Sequence, residues 1–105
     1  MRVDISWTFY VNTNASPDVV RTHAEQVMEE LLKLEECSPI TDSAVSLDLS
    51  GPSITIEVGA DGDDYESALG EALSNIRTAI HAAGGSTRDE TFRLEAADLQ
   101  AQPAA

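Results

Sequence analysis

Residues 3–12 alternate without a break, with Val3, Ile5, Trp7, Phe9 and Val11 on one side and Asp4, Ser6, Thr8, Tyr10 and Asn12 on the other. A period of two in β-branched and aromatic residues commits this stretch to a strand with one dry face. Such a strand cannot stand alone. It needs partners at its edges and a cover over its dry side, and the rest of the chain must supply both.

The cover is legible as two helices. Ser16-Pro17-Asp18 opens the first: Ser16 can accept from a free backbone N–H, proline is tolerated in the first turn, and Asp18 suits the positive end of the helix dipole. Val20, Ala24, Val27, Leu31 and Leu34 recur at helical spacing, Met28 and Leu32 widen the stripe, and Pro39 ends the helix by about Cys37. The second helix is expected to start at Asp63, with Asp63 and Glu66 at capping-box spacing. Its stripe is Leu69, Leu73, Ile76, Ile80 and Ala83, flanked by Ala68, Ala72 and Ala79, and Gly84 is the expected terminator. Gly70 inside it costs about 1 kcal/mol relative to alanine, and either lets a neighbour approach or lies on the surface.

The edge partners are three shorter stretches. Val45, Leu47 and Leu49 alternate with polar residues, as do Ile54, Ile56 and Val58, and Gly51-Pro52 between them suits a two-residue hairpin turn. That turn pairs Ser50 with Ser53, Leu49 with Ile54, Asp48 with Thr55 and Leu47 with Ile56. Thr91, Arg93 and Glu95 alternate with Phe92, Leu94 and Ala96 as a fourth strand. Residues 1–96 then form a single α+β domain and 97–105 a flexible C-terminal tail.

The order strand–helix–strand–strand–helix–strand resembles the ferredoxin-like arrangement over about residues 3–96. This is a two-layer βαββαβ sandwich with an antiparallel sheet of order 4-1-3-2 and two helices on one face. From the crossover rule, the first and third strands are expected side by side at the centre and parallel, and the helices roughly parallel. The resemblance is to a fold, and a fold alone carries little function. RNA-recognition modules of this shape present aromatic and basic sheet residues, whereas this outer face carries Asp4, Ser6, Thr8, Tyr10, Ser46, Asp48, Thr55, Glu57, Thr91, Arg93 and Glu95. Small metal chaperones carry Cys-x-x-Cys after the first strand and acylphosphatases an arginine in that loop; here it reads Asn12-Thr13-Asn14-Ala15. Amino-acid-binding regulatory domains use the same loop, but no specific signature of theirs stands here.

Charge narrows the partners. Nineteen Asp and Glu against six Lys and Arg give −13. Nucleic acid and anionic membranes are therefore not expected as partners, while a homodimer or a basic protein partner stays open. Cys37 is the only cysteine, so no intramolecular disulfide can form, and a reducing, cytoplasmic setting fits. No stretch reaches the roughly 20 apolar residues of a membrane span, and the alternating residues 1–7 lack a signal peptide's apolar run.

Three constellations invite chemistry. His23 and His81 suggest a metal, but on parallel helices they would lie about 10 Å and about 27 Å from their helix starts, too far apart for one ion. Cys37 and His81, both at helix C-termini, could meet, in a position that raises rather than lowers a thiol pKa. Asp61-Gly62-Asp63-Asp64 resembles the start of a calcium loop, but Tyr65, Glu66 and Ala72 stand where ligands and glycine are needed. No metal, cofactor or catalytic set is expected. The candidate binding residues are Tyr10, Asn12, Asp48, Glu57 and Arg93, on the outer sheet face and first loop. The leading functional expectation is a small acidic non-enzymatic binding or regulatory module, with a homodimer left open. The alternatives are an acidic decoy that mimics nucleic acid toward a basic protein, and a small enzyme using the polar sheet face.

Overall fold

The alternating amino-terminal stretch becomes β1 (Arg2–Val11), the central strand on which the molecule is built. In the computed structural model, which describes residues 1–11, 16–50, 52–83 and 94–103, it is followed by α1 (Pro17–Glu35), β2 (Ile40–Asp48), β3 (Ser53–Asp61), α2 (Tyr65–Ala82) and β4 (Leu94–Pro103). The four strands form one antiparallel sheet in the order β2-β3-β1-β4, which is the expected 4-1-3-2, and the layout is the βαββαβ α+β sandwich. Val3, Ile5, Trp7 and Phe9 of β1 and Ile54, Ile56, Val58 and Ala60 of β3 are buried beneath Val20, Ala24, Val27 and Leu31 of α1 and Ala68, Ala72, Ile76, Ala79 and Ile80 of α2. Among the described residues no helix is long and apolar enough to cross a membrane.

The central pair departs from expectation in direction: β1 and β3 are antiparallel. The right-handed crossover joins β1 to β2 through α1, so these two share a direction and β3 slots between them the other way. The helices then oppose each other. His23, in the second turn of α1, donates to the backbone carbonyl of Ala83 at the far end of α2.

The β2–β3 hairpin keeps the expected faces but not the expected register. Asp48 pairs with Ser53, Leu47 with Ile54, Ser46 with Thr55 and Val45 with Ile56, a slip of two residues from the pairing that Gly51-Pro52 implies. Asp48 explains it. Its Oδ1 accepts from the Ser50 backbone N–H at 2.9 Å and from the Ser50 hydroxyl at 2.7 Å, so the side chain bends the backbone before Leu49 and Ser50 can pair. Leu49, expected inside, is exposed. Because a slip of two preserves the period of the strand, the inward residues that still pair, Val45 and Leu47, stay inward.

The fourth strand runs further than expected at its carboxyl end. β4 runs to Pro103, so residues 98–103, expected within a tail, pair with β1: Thr8 with Asp98, Trp7 with Leu99, Ile5 with Ala101 and Val3 with Pro103. Proline at the end of an edge strand removes no central ladder bond. Asn12, Gly51, Gly84, Thr91, Phe92 and Arg93 lie outside the described residues.

Helix ends follow capping chemistry. Ser16 accepts from Val19 N–H at 3.4 Å as anticipated, but the cap of α2 is Asp64 rather than Asp63, taking Ser67 N–H at 2.8 Å. On α1, Leu32 faces solvent and His23 takes an inward place instead. On α2 the buried seam is Ala68, Ala72, Asn75, Ile76, Ala79 and Ile80, with Leu69 and Leu73 displaced to its flank. A side chain added at Gly70 would meet nothing within 4 Å. Gly70→Ala is therefore expected to raise stability by about 0.5–1 kcal/mol, read as a higher urea midpoint at unchanged slope.

His23 sets a pH dependence. Burial lowers its pKa below the ordinary histidine value, partly opposed by its bond to Ala83. The unfolded chain then binds the proton more readily than the folded one. Stability from this residue is full above about pH 6.5 and falls as pH drops through the folded-state value. The urea midpoint is expected to fall from pH 7 to pH 5, and His23→Gln should flatten that slope. Asp64 acts in a separate window: the Ser67 backbone and hydroxyl bonds hold its carboxyl below the usual range, so its contribution disappears only at more acidic pH.

Candidate functional site

The face of the sheet turned away from the helices is the candidate site, and strand register fixes what sits beside what. Across β2, β3, β1 and β4 its rows read Asp48–Ser53–Tyr10–Glu95, Ser46–Thr55–Thr8–Asp98, Ala44–Glu57–Ser6–Gln100, and Thr41–Gly59–Asp4–Gln102. Thr8 and Thr55 join their hydroxyls at 3.0 Å in the second row, and Gln100 donates to Asp98 at 3.3 Å.

At one end Arg2 lies across the sheet. Its Nε donates to Asp4 Oδ1 at 3.2 Å and its Nη2 to Asp42 Oδ2 at 2.5 Å, which raises its pKa further. Two backbone features make this possible. Gly59 leaves the floor bare: a Cβ there would collide with the guanidinium. Asp42 sits in a β-bulge of β2 with φ 54°, a left-handed setting that a short polar side chain tolerates. Around Glu57 and Asp4 the face has two open recesses. One, of about 380 Å³, is bordered by Arg2, Asp42 and Gly59. The other, of about 210 Å³, is bordered by Ser6, Gln100 and Gln102.

Of the anticipated residues, Tyr10 and Asp48 share a row through Ser53, and both are exposed. Glu57 lies four residues along β3 from that row, about 13 Å at a strand's rise per residue. The register slip set by Asp48 is what separates the two carboxylates. Asn12 and Arg93 fall outside the described residues. Arg2, Asp42 and Gly59 escaped the sequence reading. The signals were the polar alternation continuing back to Arg2 and a glycine inside an extended run, which marks a close approach.

The remaining constellations rearrange with the helix directions. Opposed helices put His23 and His81 toward the same end, which overturns the separation argument, but His23 is turned into the core and His81 is exposed. They put Cys37 and His81 at opposite ends, so that pair is not formed; Cys37 is exposed. Among the described residues no group of three or more His, Cys, Asp or Glu is placed to hold a metal ion.

A second surface lies on the helix side, along the edge of β2 that has no partner strand among the described residues. Val45 and Leu47 point toward α1, half-buried, and form with Ala24 and Met28 an apolar recess of about 260 Å³ rimmed by Arg21 and Glu25. Exposed strand edges beside an apolar recess are a recurring means of recognising extended peptides. No protein-family model matches the chain, and no curated protein matches it in sequence.

Proposed function

We propose that this chain is a small acidic protein-binding module that works in the cytoplasm through contact with a cationic protein. The observation that supports this reading is a polar sheet face carrying Asp4, Asp48, Glu57 and Asp98, bordered by a β2 edge that has no partner strand among the described residues and an apolar recess beside it. A net charge of −13 favours encounter with basic partners and opposes close approach of a second copy. The lone exposed Cys37 suits a reducing compartment. Immobilised protein incubated with cytoplasmic extract at low salt is expected to retain cationic proteins that elute as salt is raised. Light scattering of the free protein is expected to give a monomer. Retention of nothing under both salts would overturn the module reading.

The decoy reading ranks second, because acidic residues are not gathered on one face. Asp4, Asp48, Glu57 and Asp98 occupy the sheet, while Glu25, Glu29, Glu66 and Glu71 occupy the helices. The enzyme reading ranks third, since Tyr10 and Asp48 stand a long way along the sheet from Glu57 and the recesses there are open.

A further inference from the structure

We propose that the edge of β2 over residues 44–48 is a strand-addition site for a short segment of another protein, with basic residues at its two ends and apolar residues at alternate positions between them. This rests on the module reading above and specifies where and what it binds.

The length follows from what ends regular pairing on each side. Asp42 and Ser43 bulge between the Thr41–Gly59 and Ala44–Glu57 pairs, and the Asp48–Ser50 turn closes the other end. Five residues, Ala44 to Asp48, remain as a straight edge with no strand on its outer side among the described residues. A strand laid there would run about 4.8 Å away and offer side chains alternately to the two faces.

Composition follows from what each face would meet. On the helix side, residues opposite Val45 and Leu47 would enter the recess formed with Ala24 and Met28, so they are apolar. On the outer side, residues opposite Ala44, Ser46 and Asp48 meet polar surface. Opposite Asp48, whose carboxylate already holds the Ser50 turn, a lysine or arginine adds a charge contact to an acidic group that keeps its own partners. Opposite Ala44 only a methyl group intervenes, and Glu57 is the directly paired residue on the next strand, so a long cationic side chain can pass over Ala44 to reach it. The segment therefore reads basic–apolar–any–apolar–basic. This pattern is the same in both directions, so it suits parallel or antiparallel addition. Charge selects a foreign cationic segment over a second copy. The β2 strand itself, Ile40–Asp48, contains two aspartates and no cation, and would bring like charges together.

The test is titration of isotope-labelled protein with the capped peptide Ser-Lys-Val-Thr-Val-Lys-Ser, followed by backbone amide shifts, beside a control in which both lysines are glutamates. The expected result is shifts centred on residues 44–48 and 24–28 with the lysine peptide, weakening as salt rises, and none with the glutamate peptide. Glu57→Gln combined with Asp48→Asn, which keeps the turn's Oδ1 acceptor, is expected to weaken binding at least tenfold while leaving the amide spectrum otherwise folded. Shifts centred elsewhere, equal response to both peptides, or an unchanged affinity in the double variant would overturn the site. If the lysine peptide fails while intact cationic proteins are still retained from extract, the edge site falls and the module reading stands; if neither binds, both fall.

Discussion

Ile56→Ala is expected to destabilise the domain by about 2–5 kcal/mol, a large share of the 5–15 kcal/mol typical of a domain. Ile56 is fully buried and sits at the centre of the sheet, paired with Trp7 on one side and Val45 on the other. Truncation removes three carbons from a site whose walls are strands held by ladder bonds on both sides, so the space cannot readily collapse and the cavity adds to the lost burial. Urea unfolding followed by Trp7 fluorescence reads this directly, since that indole lies next to the substitution. Leu32→Ala is the control. Leu32 belongs to the same apolar spacing on α1 but is half exposed, and its truncation should change stability by no more than about 0.5 kcal/mol. Equal losses at the two positions would contradict the placement of the core.

Gly62→Ala is expected to be the most damaging single-carbon addition. A Cβ at Gly62 would lie 2.5 Å from Ala68 N and 2.9 Å from both Ala68 Cα and the Ser67 carbonyl carbon. These are backbone atoms of the first turn of α2 and cannot swing aside, so either the helix start or the β3–α2 connection must move. Movement also strains the exchange in which Gly62 N–H donates to Met1 O at 2.9 Å and the Met1 amino group donates to Gly62 O at 2.6 Å. The expected loss is about 1–3 kcal/mol or more. Gly59→Ala makes a useful contrast: its Cβ would meet only the flexible guanidinium of Arg2, so only an exposed ion pair is displaced and the loss should be clearly smaller than at Gly62. Thermal unfolding of the pair should rank them in that order.

The architecture was readable because burial on one side of a sheet imposes an unbroken period, and β1 and β3 keep that period from end to end. The two edge strands do not, and each was misjudged where a bulge inserts a residue. In β4 the unpaired Ala97 between Ala96 and Asp98 shifts the phase, so Leu99 and Ala101 fall out of step with Leu94 and Ala96, and the strand seems to stop at 96. In β2 the bulge at Asp42 and Ser43 does the same, which hid Ile40 and Thr41 as part of the strand. The candidate site suffered from a different gap. Alternation puts Tyr10, Asp48 and Glu57 on the outer face, but which of them are neighbours depends on register. Register here is set by Asp48 reaching Ser50, a side-chain contact that the Gly51-Pro52 turn signal gives no hint of. Arg2 required two such local facts at once, a bare glycine and a left-handed aspartate, before its position across the sheet could be foreseen.

The seam of α2 has a consequence for how this chain can change over time. Ala68, Ala72 and Ala79 are wholly enclosed beside Ile76 and Ile80, so at three points of this seam a methyl group sets how closely the helix approaches what lies beneath it. The opposite helix meets the sheet with branched chains that can be trimmed or reshaped and still fill most of their volume. Mutational drift should thus be lopsided: α1 can exchange one aliphatic for another, whereas at those three alanines any heavier substituent would have to lever two layers apart, leaving that flank of the molecule nearly frozen in sequence.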